Sequence, residues 1–406
     1  MARILAYTSP ARSHLFSLTS ILDELHRRGH EIALRTFSSH VELMQERGFE
    51  AAPIGAQVEA IETDYWRVSS PRQSVRRSAR AFGARAEHDG PDLQRAIAET
   101  SPDALVVDIN SWGALIAAEE WGGPWAALCP FPLPLRSDDA PPFGPGLPPA
   151  RGLPGRMRDR VMRPLVIGIV EREMRPALNA IRERMGVTPV ATMEEMFARP
   201  TLLLYTTAEP FEYPRRDWPE NLVMTGPCEW EPTSEPPLWL EQTHEPLVLV
   251  NTSSVFQDDG RLVQVALQAL ADEPVRVVAT VPAGEPTDFQ PPANARVERF
   301  VPHRPLLERA ICAVTHGGMG STQKALARGV PVCVVPFGRD QLEVARRVEV
   351  AGAGTRLPAA RLRTDRLRDK VHQAIARRDG AQRIAAAFAA AGGASAAADA
   401  VEQRLL

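Results

Sequence analysis

The sequence is short of cysteine. Its four residues of that type, Cys129, Cys228, Cys312 and Cys333, are scattered without a C-x-x-C pair, which excludes a disulfide framework and a zinc-finger spacing. Cys312 and Cys333 fall inside apolar runs, where cysteine serves as a small hydrophobe, so a reducing cytoplasm is expected. No excess of basic charge is present: 47 Lys and Arg stand against 50 Asp and Glu, a formal charge of -3, and nucleic-acid binding is disfavoured. No charged leader precedes an apolar core at the N-terminus, and no uninterrupted apolar segment approaches the ~20 residues that span a bilayer. No basic amphipathic helix with an apolar face stands out either, so stable membrane insertion is not expected. The 406 residues exceed one ordinary core and suit two domains.

What is present alternates between strand and helix. Arg3–Thr8 reads as a first strand, Leu15, Leu18, Ile21, Leu22 and Leu25 as one helical stripe ended by Gly29, and Glu31–Thr36 as a second strand. This opening is Rossmann-like, yet the loop between strand and helix, residues 9–14, contains no glycine. It lacks the G-x-G-x-x-G turn that brings backbone against a dinucleotide, and offers a side chain, His14, at the strand's carboxyl end. Residues 103–108 form another buried strand ending on Asp108, which reaches the same rim. Residues 130–154 are dense in proline and glycine and too long for a plain connector, so they form either a binding loop or a mobile one. In the helices that follow, Met157, Met162, Leu165, Val166, Ile169 and Val170 read as an internal packing stripe ahead of the alternative, an apolar wall for a substrate. Residues 201–207 look like the closing strand of the first domain, and recurrent prolines from Pro210 to Pro237 mark a linker.

The most informative stretch is 300–341. An apolar strand at 311–315 breaks at His316-Gly317-Gly318-Met319-Gly320-Ser321 into a helix, Gly329 ends that helix, and Val330–Val335 is a second buried strand. In such a βαβ unit the turn points unpaired N–H groups and the positive end of a helix dipole at a ligand, and an anion such as phosphate is the natural occupant.

Taken together, Phe300-Val301-Pro302-His303, Thr315-His316-Gly317-Gly318, Ser321-Thr322, Gly329-Val330-Pro331 and Asp340-Gln341 resemble the nucleotide-sugar signature of glycosyltransferase family 1, most closely the bacterial antibiotic and macrolide enzymes. The resemblance runs along nearly the whole chain. It implies an α/β GT-B fold, two Rossmann-like domains separated by a cleft: 1–210 binding the acceptor, a linker at 211–245, 246–380 binding the nucleotide sugar, and 381–406 as a helix returning to the first domain.

It also implies roles. His14 is the general base for the acceptor hydroxyl and Asp108 its orienting partner, a pairing suited to a residue type that titrates near ~6.5. Phe300 stacks on the nucleobase, the backbone of Val301 meets the base edge, and His303 faces the ribose. His316, with the N–H groups of Gly318, Gly320, Ser321 and Thr322, holds the diphosphate. Ser254 adds a phosphate bond, and Asp340 and Gln341 bind sugar hydroxyls. Departures exist: Ser13 and Ser17 replace a Gly and a Pro that flank the histidine in relatives. Lys324 stands where plant relatives have a ribose-binding glutamate, and a lysine accepts no hydrogen bond, which is compatible with a 2′-deoxy nucleotide. No Asp-x-Asp metal motif is present and no cofactor beyond the TDP- or UDP-sugar is expected.

The expected activity is inverting transfer to a hydroxyl of a hydrophobic small molecule. A nucleotide-sugar epimerase of similar shape and a non-catalytic auxiliary partner of the same fold are the rivals. The sequence does not set the oligomeric state, and a homodimer is compatible with it.

Overall fold

A computed structural model describes residues 1–68, 70–232 and 235–406, the side chain of residue 65 excepted; residues 233 and 234 of the expected linker lie outside the described residues. The first sheet has seven parallel strands: β1 (Arg3–Tyr7), β2 (Glu31–Thr36), β3 (Glu50–Pro53), β4 (Ala104–Asp108), β5 (Trp125–Cys129), β6 (Leu202–Tyr205) and β7 (Leu222–Met224). Their order is β3-β2-β1-β4-β5-β6-β7. The second has six: β8 (Leu247–Asn251), β9 (Arg276–Thr280), β10 (Ala295–Glu298), β11 (Ala310–Thr315), β12 (Val332–Val334) and β13 (Gly354–Arg356), in the order β10-β9-β8-β11-β12-β13.

The central strands are apolar at nearly every position because each sheet is covered on both faces, whereas the edge strands β3, β10 and β13 carry polar residues. Along β1, Leu5 and Tyr7 enter one core while Ile4 and Ala6 enter the other. Along β11, Ala313 and then Cys312 and Val314 divide in the same way between the two cores of the second sheet. Alternation of faces, which a half-exposed strand would show as alternating polarity, is therefore invisible in the residue types.

Three expectations need correction, and one open alternative is narrowed. The first sheet does not close at 207: β7 pairs with β6 through Leu203, Leu204 and Tyr205, so the domain continues beyond 210 into the expected linker. The short pattern at 221–225 within the linker is this strand, and three residues do not tell which sheet it joins. The proline- and glycine-rich segment is tied across the molecule to the helix Gln341–Val350, as described below. Met157 and Leu165 are 61% and 59% exposed, so the helix Gly152–Glu173 does not bury them as an internal stripe. Finally, an 18-residue stretch within the tail Arg378–Leu405 reaches a mean hydropathy of 1.5, by length and composition enough to cross a membrane. The tail is not one helix, however: Gly392 and Gly393, at φ 88° and 60°, separate Arg378–Ala390 from Gly393–Leu405. Ala397, Ala398, Val401 and Leu405 of the last segment pack into the core of the first sheet, and Arg28 pairs with Asp399 and Glu402 at 2.6 Å each.

Candidate active site

Each candidate residue stands at or just beyond the carboxyl end of a parallel strand, where open α/β sheets leave a crevice. His14 lies in the first turn of the helix Arg12–Arg27, which no side chain caps. Its Nδ1 is 2.8 Å from Asp108 Oδ1, at the end of β4. Asp108 is buried, and its second oxygen accepts the Ser9 N–H at 3.1 Å and the Ser9 hydroxyl, while Oδ1 also accepts the Asn110 N–H at 3.1 Å. Burial alone would raise the Asp108 pKa. The charge and hydrogen bond of His14, with the bonds from Ser9 and Asn110, outweigh it and hold the carboxyl below its ordinary range. An ionised Asp108 fixes the proton on Nδ1 and leaves Nε2 as the basic nitrogen. Phe131, just past β5, lies over the imidazole at 5.7 Å between centroids. Asp108 therefore does more than start the next helix, and Ser9, unremarked in the sequence, is its third holder.

In the second domain the turn after β11 is built on three glycines with different jobs. Gly317 has φ 94°, which a side chain tolerates poorly. A Cβ on Gly318 would meet His316 Nε2 at 2.5 Å, so only glycine lets that ring lie against the backbone. A Cβ on Gly320 would meet nothing within 4 Å: the first turn of the helix Met319–Leu326 borders open space. The N–H groups of Met319, Gly320 and Ser321 are the first three of that helix, beyond the reach of its own carbonyls. Thr322 is different. Its N–H donates to Gly318 O at 3.0 Å and its hydroxyl lies 3.3 Å from Thr315 Oγ1, so it completes the turn and does not present a donor to a phosphate.

His316 is buried, with Nδ1 3.5 Å from the Asn251 carbonyl. Burial lowers its pKa, and Arg339 adds to that; Asp259, Asn251 and Asp340 pull the other way without reversing it. Phe300 is 49% exposed just after β10, which rules out core packing for its ring, whereas Val301 sits in the core. His303 bonds Thr280 Oγ1 at 3.0 Å, and burial together with Lys324 and Arg328 brings its pKa down to about 4. Lys324 donates to Glu231 Oε2 at 3.2 Å and to the Trp230 carbonyl at 3.3 Å.

The loops on either side of the turn are braced to each other. Ser254 is partly exposed in the loop after β8, where Asp259 accepts the Ser253 N–H at 2.8 Å and the Gln257 amide at 2.9 Å. Gln341 donates to Gln257 Oε1 at 2.8 Å and accepts the N–H groups of Phe337 and Gly338 at 2.9 and 3.2 Å. Gln341 is thus a buried brace between the two loops, with one amide hydrogen given to Gln257. Asp340 precedes it without capping the helix Gln341–Val350 with its side chain, so the simple capping role does not apply. Asp258 and Arg339, with φ of 57° and 61°, are non-glycine residues held in the left-handed region, and they lie in these two loops. Such conformations cost about 1–3 kcal/mol each and gather at ligand sites.

The two rims face one another. Gly144 and Gly146, in the proline-rich segment, donate their N–H groups to Glu343 Oε1 at 2.7 and 2.8 Å, and Arg346 Nε donates to Gly146 O at 2.8 Å. Trp66 meets Phe256, beside Ser254, edge-to-face at 5.2 Å. The charge of Asp340 adds to the burial that raises the Cys129 thiol at the end of β5, two residues before Phe131. Nothing in one sequence pairs Glu343 with a glycine nearly 200 positions away, so these bridging residues were out of its reach.

Comparison with known proteins agrees with this layout. Residues 264–402 match the family described as erythromycin biosynthesis protein CIII-like, C-terminal domain. The chain is 32% identical to 4′-demethylrebeccamycin synthase of Lentzea aerocolonigenes over 375 residues, 89% of each protein. In fold it is similar to CalG4, the calicheamicin glycosyltransferase, with a TM-score of 0.75 and 22% identity over 100% of this chain and 98% of that one. It is also similar to the glycosyltransferase VinC in complex with DTDP, at 0.70 and 22% over 99% of both.

Proposed function

For a chain that belongs to the family 1 glycosyltransferases of GT-B fold, of the antibiotic-biosynthesis type, we propose inverting transfer of a sugar from a nucleoside diphosphate to a hydroxyl of a hydrophobic small molecule. The observation that carries this reading is the 2.8 Å pair of His14 and Asp108 at the rim facing the glycine turn. In it, Nε2 takes the acceptor proton as its oxygen attacks the anomeric carbon, and the Asp108 carboxylate stabilises the imidazolium that results. The sugar–phosphate bond breaks, and charge grows on the diphosphate.

That charge meets the N–H groups of Met319, Gly320 and Ser321 and the positive end of their helix. His316, neutral when the site is empty, gains a proton more readily with the anion beside it. Phe300 supplies the exposed ring for the base, Ser254 a hydroxyl for phosphate, and Asp340 an uncommitted carboxylate for the sugar. Attack from the His14 side, opposite the diphosphate, inverts the anomeric centre in one displacement. No covalent intermediate and no metal or cofactor enters this scheme.

Of the two donors left open, TDP- and UDP-sugars, we propose the thymidine diphosphate one. VinC, similar in fold, is described in complex with DTDP, and Lys324 accepts no hydrogen bond from a 2′-hydroxyl. The test is a mass-spectrometric screen of TDP- and UDP-sugars against polyketide and macrolide alcohols, with the anomeric coupling of the product read by NMR. Product from a TDP-sugar with inverted configuration is expected. Retained configuration, or turnover of donor to another sugar without acceptor, would refute the proposal.

A further inference from the structure

The helix Gly152–Glu173 has apolar side chains on two opposite sides. Met162, Val166, Ile169 and Val170 turn inward and are partly buried. Leu153, Met157, Val161 and Leu165 recur every fourth residue and are 80%, 61%, 55% and 59% exposed. They form one stripe, roughly 18 Å long at the helical rise. Single exposed hydrophobes are ordinary, but these are four of the ten large apolar side chains described as exposed, and they share one face of one helix.

Charge identifies what covers the stripe. By helical spacing Arg156 and Arg160 lie along one margin, and Arg151 precedes the helix; all three are exposed and form no ion pair among the described residues. Their neighbours Arg158 and Arg163 are committed inward, to Asp159 and Pro148 O and to Asp138 and the Ser137 and Ala140 carbonyls. An apolar stripe edged by unpaired arginines matches a surface that is apolar below and anionic above. A second copy of this chain would set arginine margin against arginine margin. The chain as a whole is weakly acidic, so the attraction is local to this helix.

We propose that the helix Gly152–Glu173 lies on anionic phospholipid membranes, its outer stripe in the headgroup boundary. The docking is peripheral, with no segment crossing, and the helix is a basic amphipathic one that the sequence pattern did not reveal because it has apolar residues on two sides. The same helix holds residues 137, 140 and 148 of the proline-rich segment whose Gly144 and Gly146 reach Glu343. Membrane contact is thereby placed one layer from the segment that bridges the two rims, a route by which a hydrophobic acceptor enters from the bilayer.

The experiment is flotation of the full chain with phosphatidylcholine vesicles and with vesicles that also contain phosphatidylglycerol, at low and high salt. Binding is expected to the anionic vesicles only, and to weaken with salt. Arg156→Gln with Arg160→Gln should lower the partition coefficient about thirtyfold. Met157→Gln, Val161→Gln and Leu165→Gln together should abolish binding while the circular dichroism melting curve is kept. No flotation of the wild-type chain, or equal flotation onto neutral vesicles, would overturn the proposal. So would light scattering that shows a wild-type dimer converted to monomer by the triple variant, since the stripe would then be an interface between copies.

Discussion

Arg347 and Glu212 form a two-bond ion pair, 2.8 and 3.1 Å, with both side chains almost wholly withdrawn from solvent. Arg347 lies on the helix that begins next to Asp340, and Glu212 lies in the connection between β6 and β7, so the pair fastens the second domain to the first. The Tyr205 hydroxyl donates to Glu212, Arg347 also bonds Glu343 at 2.9 Å, and Tyr213 lies under the guanidinium at 4.4 Å. Glu343 then passes the connection to Gly144 and Gly146.

Removing Arg347 leaves two buried carboxylates, Glu212 and Glu343, without the guanidinium they share. Arg347→Met is expected to cost about 3–5 kcal/mol of stability, read by urea unfolding, and Arg347→Lys should not restore it, because a single ammonium cannot serve both carboxylates. Burial would raise the Glu212 carboxyl, but Arg347 and then Arg215 and Tyr205 hold it below the ordinary value. Its contribution is therefore complete above the unfolded-state pKa and is lost as pH falls through the lower folded one. Glu212→Gln should flatten the acid limb of stability against pH below ~4.3.

Gly318→Ala tests the close approach at the glycine turn. The new methyl meets His316 Nε2, so the ring or the turn must move. Thymidine diphosphate affinity by calorimetry should fall at least about tenfold, the loss of roughly one charge-assisted hydrogen bond, and the melting temperature should fall with it. Gly320→Ala, which meets nothing inside the protein, should interfere only when nucleotide is present.

His316 gives a proton signature. Its pKa is lowered in the empty site, and an anion at the turn raises it, so binding near neutral pH takes up protons. Calorimetry of thymidine diphosphate in buffers of different ionisation enthalpy should show that uptake, with affinity declining as pH rises through the bound-state pKa. His316→Gln should abolish the uptake. An unchanged proton count in that variant would assign it elsewhere.

Asp108→Asn should lower kcat by about 10²–10⁴ with little change in nucleotide affinity, because an amide at this position no longer fixes the proton on Nδ1 or stabilises the imidazolium. Ser9→Ala, which removes one of the bonds to the same carboxylate, should have a smaller effect in the same direction.

Much of this was legible in the residues. Most of the buried strands, the glycine turn and the two ends of the His14–Asp108 pair follow from apolar runs that stop at a polar residue on the carboxyl side, a local pattern; the short edge strands β3 and β13 carry no such run. What stayed hidden depends on partners distant in sequence. Gln341 reads as a ligand residue, and only the fold shows that its amide also bonds Gln257 and the N–H groups of Phe337 and Gly338. Thr322 reads as a donor until Gly318 O is seen to take its N–H. Met157 and Leu165 read as core because periodicity reports that a helix has an apolar side, not which of two apolar sides faces the protein. In the segment 378–405 the alanines carry a hydropathy that suits a bilayer, and only the break at Gly392 and Gly393 shows two helices.

The most direct measurement is acceptor-dependent release of thymidine diphosphate by His14→Ala, made beside calorimetry of nucleotide binding to the same variant. Release should fall by at least about a hundredfold while binding stays within about twofold of wild type, since the base is removed and the glycine turn is untouched. Release at the wild-type rate, with binding intact, would contradict the assignment of His14 as the residue that takes the acceptor proton.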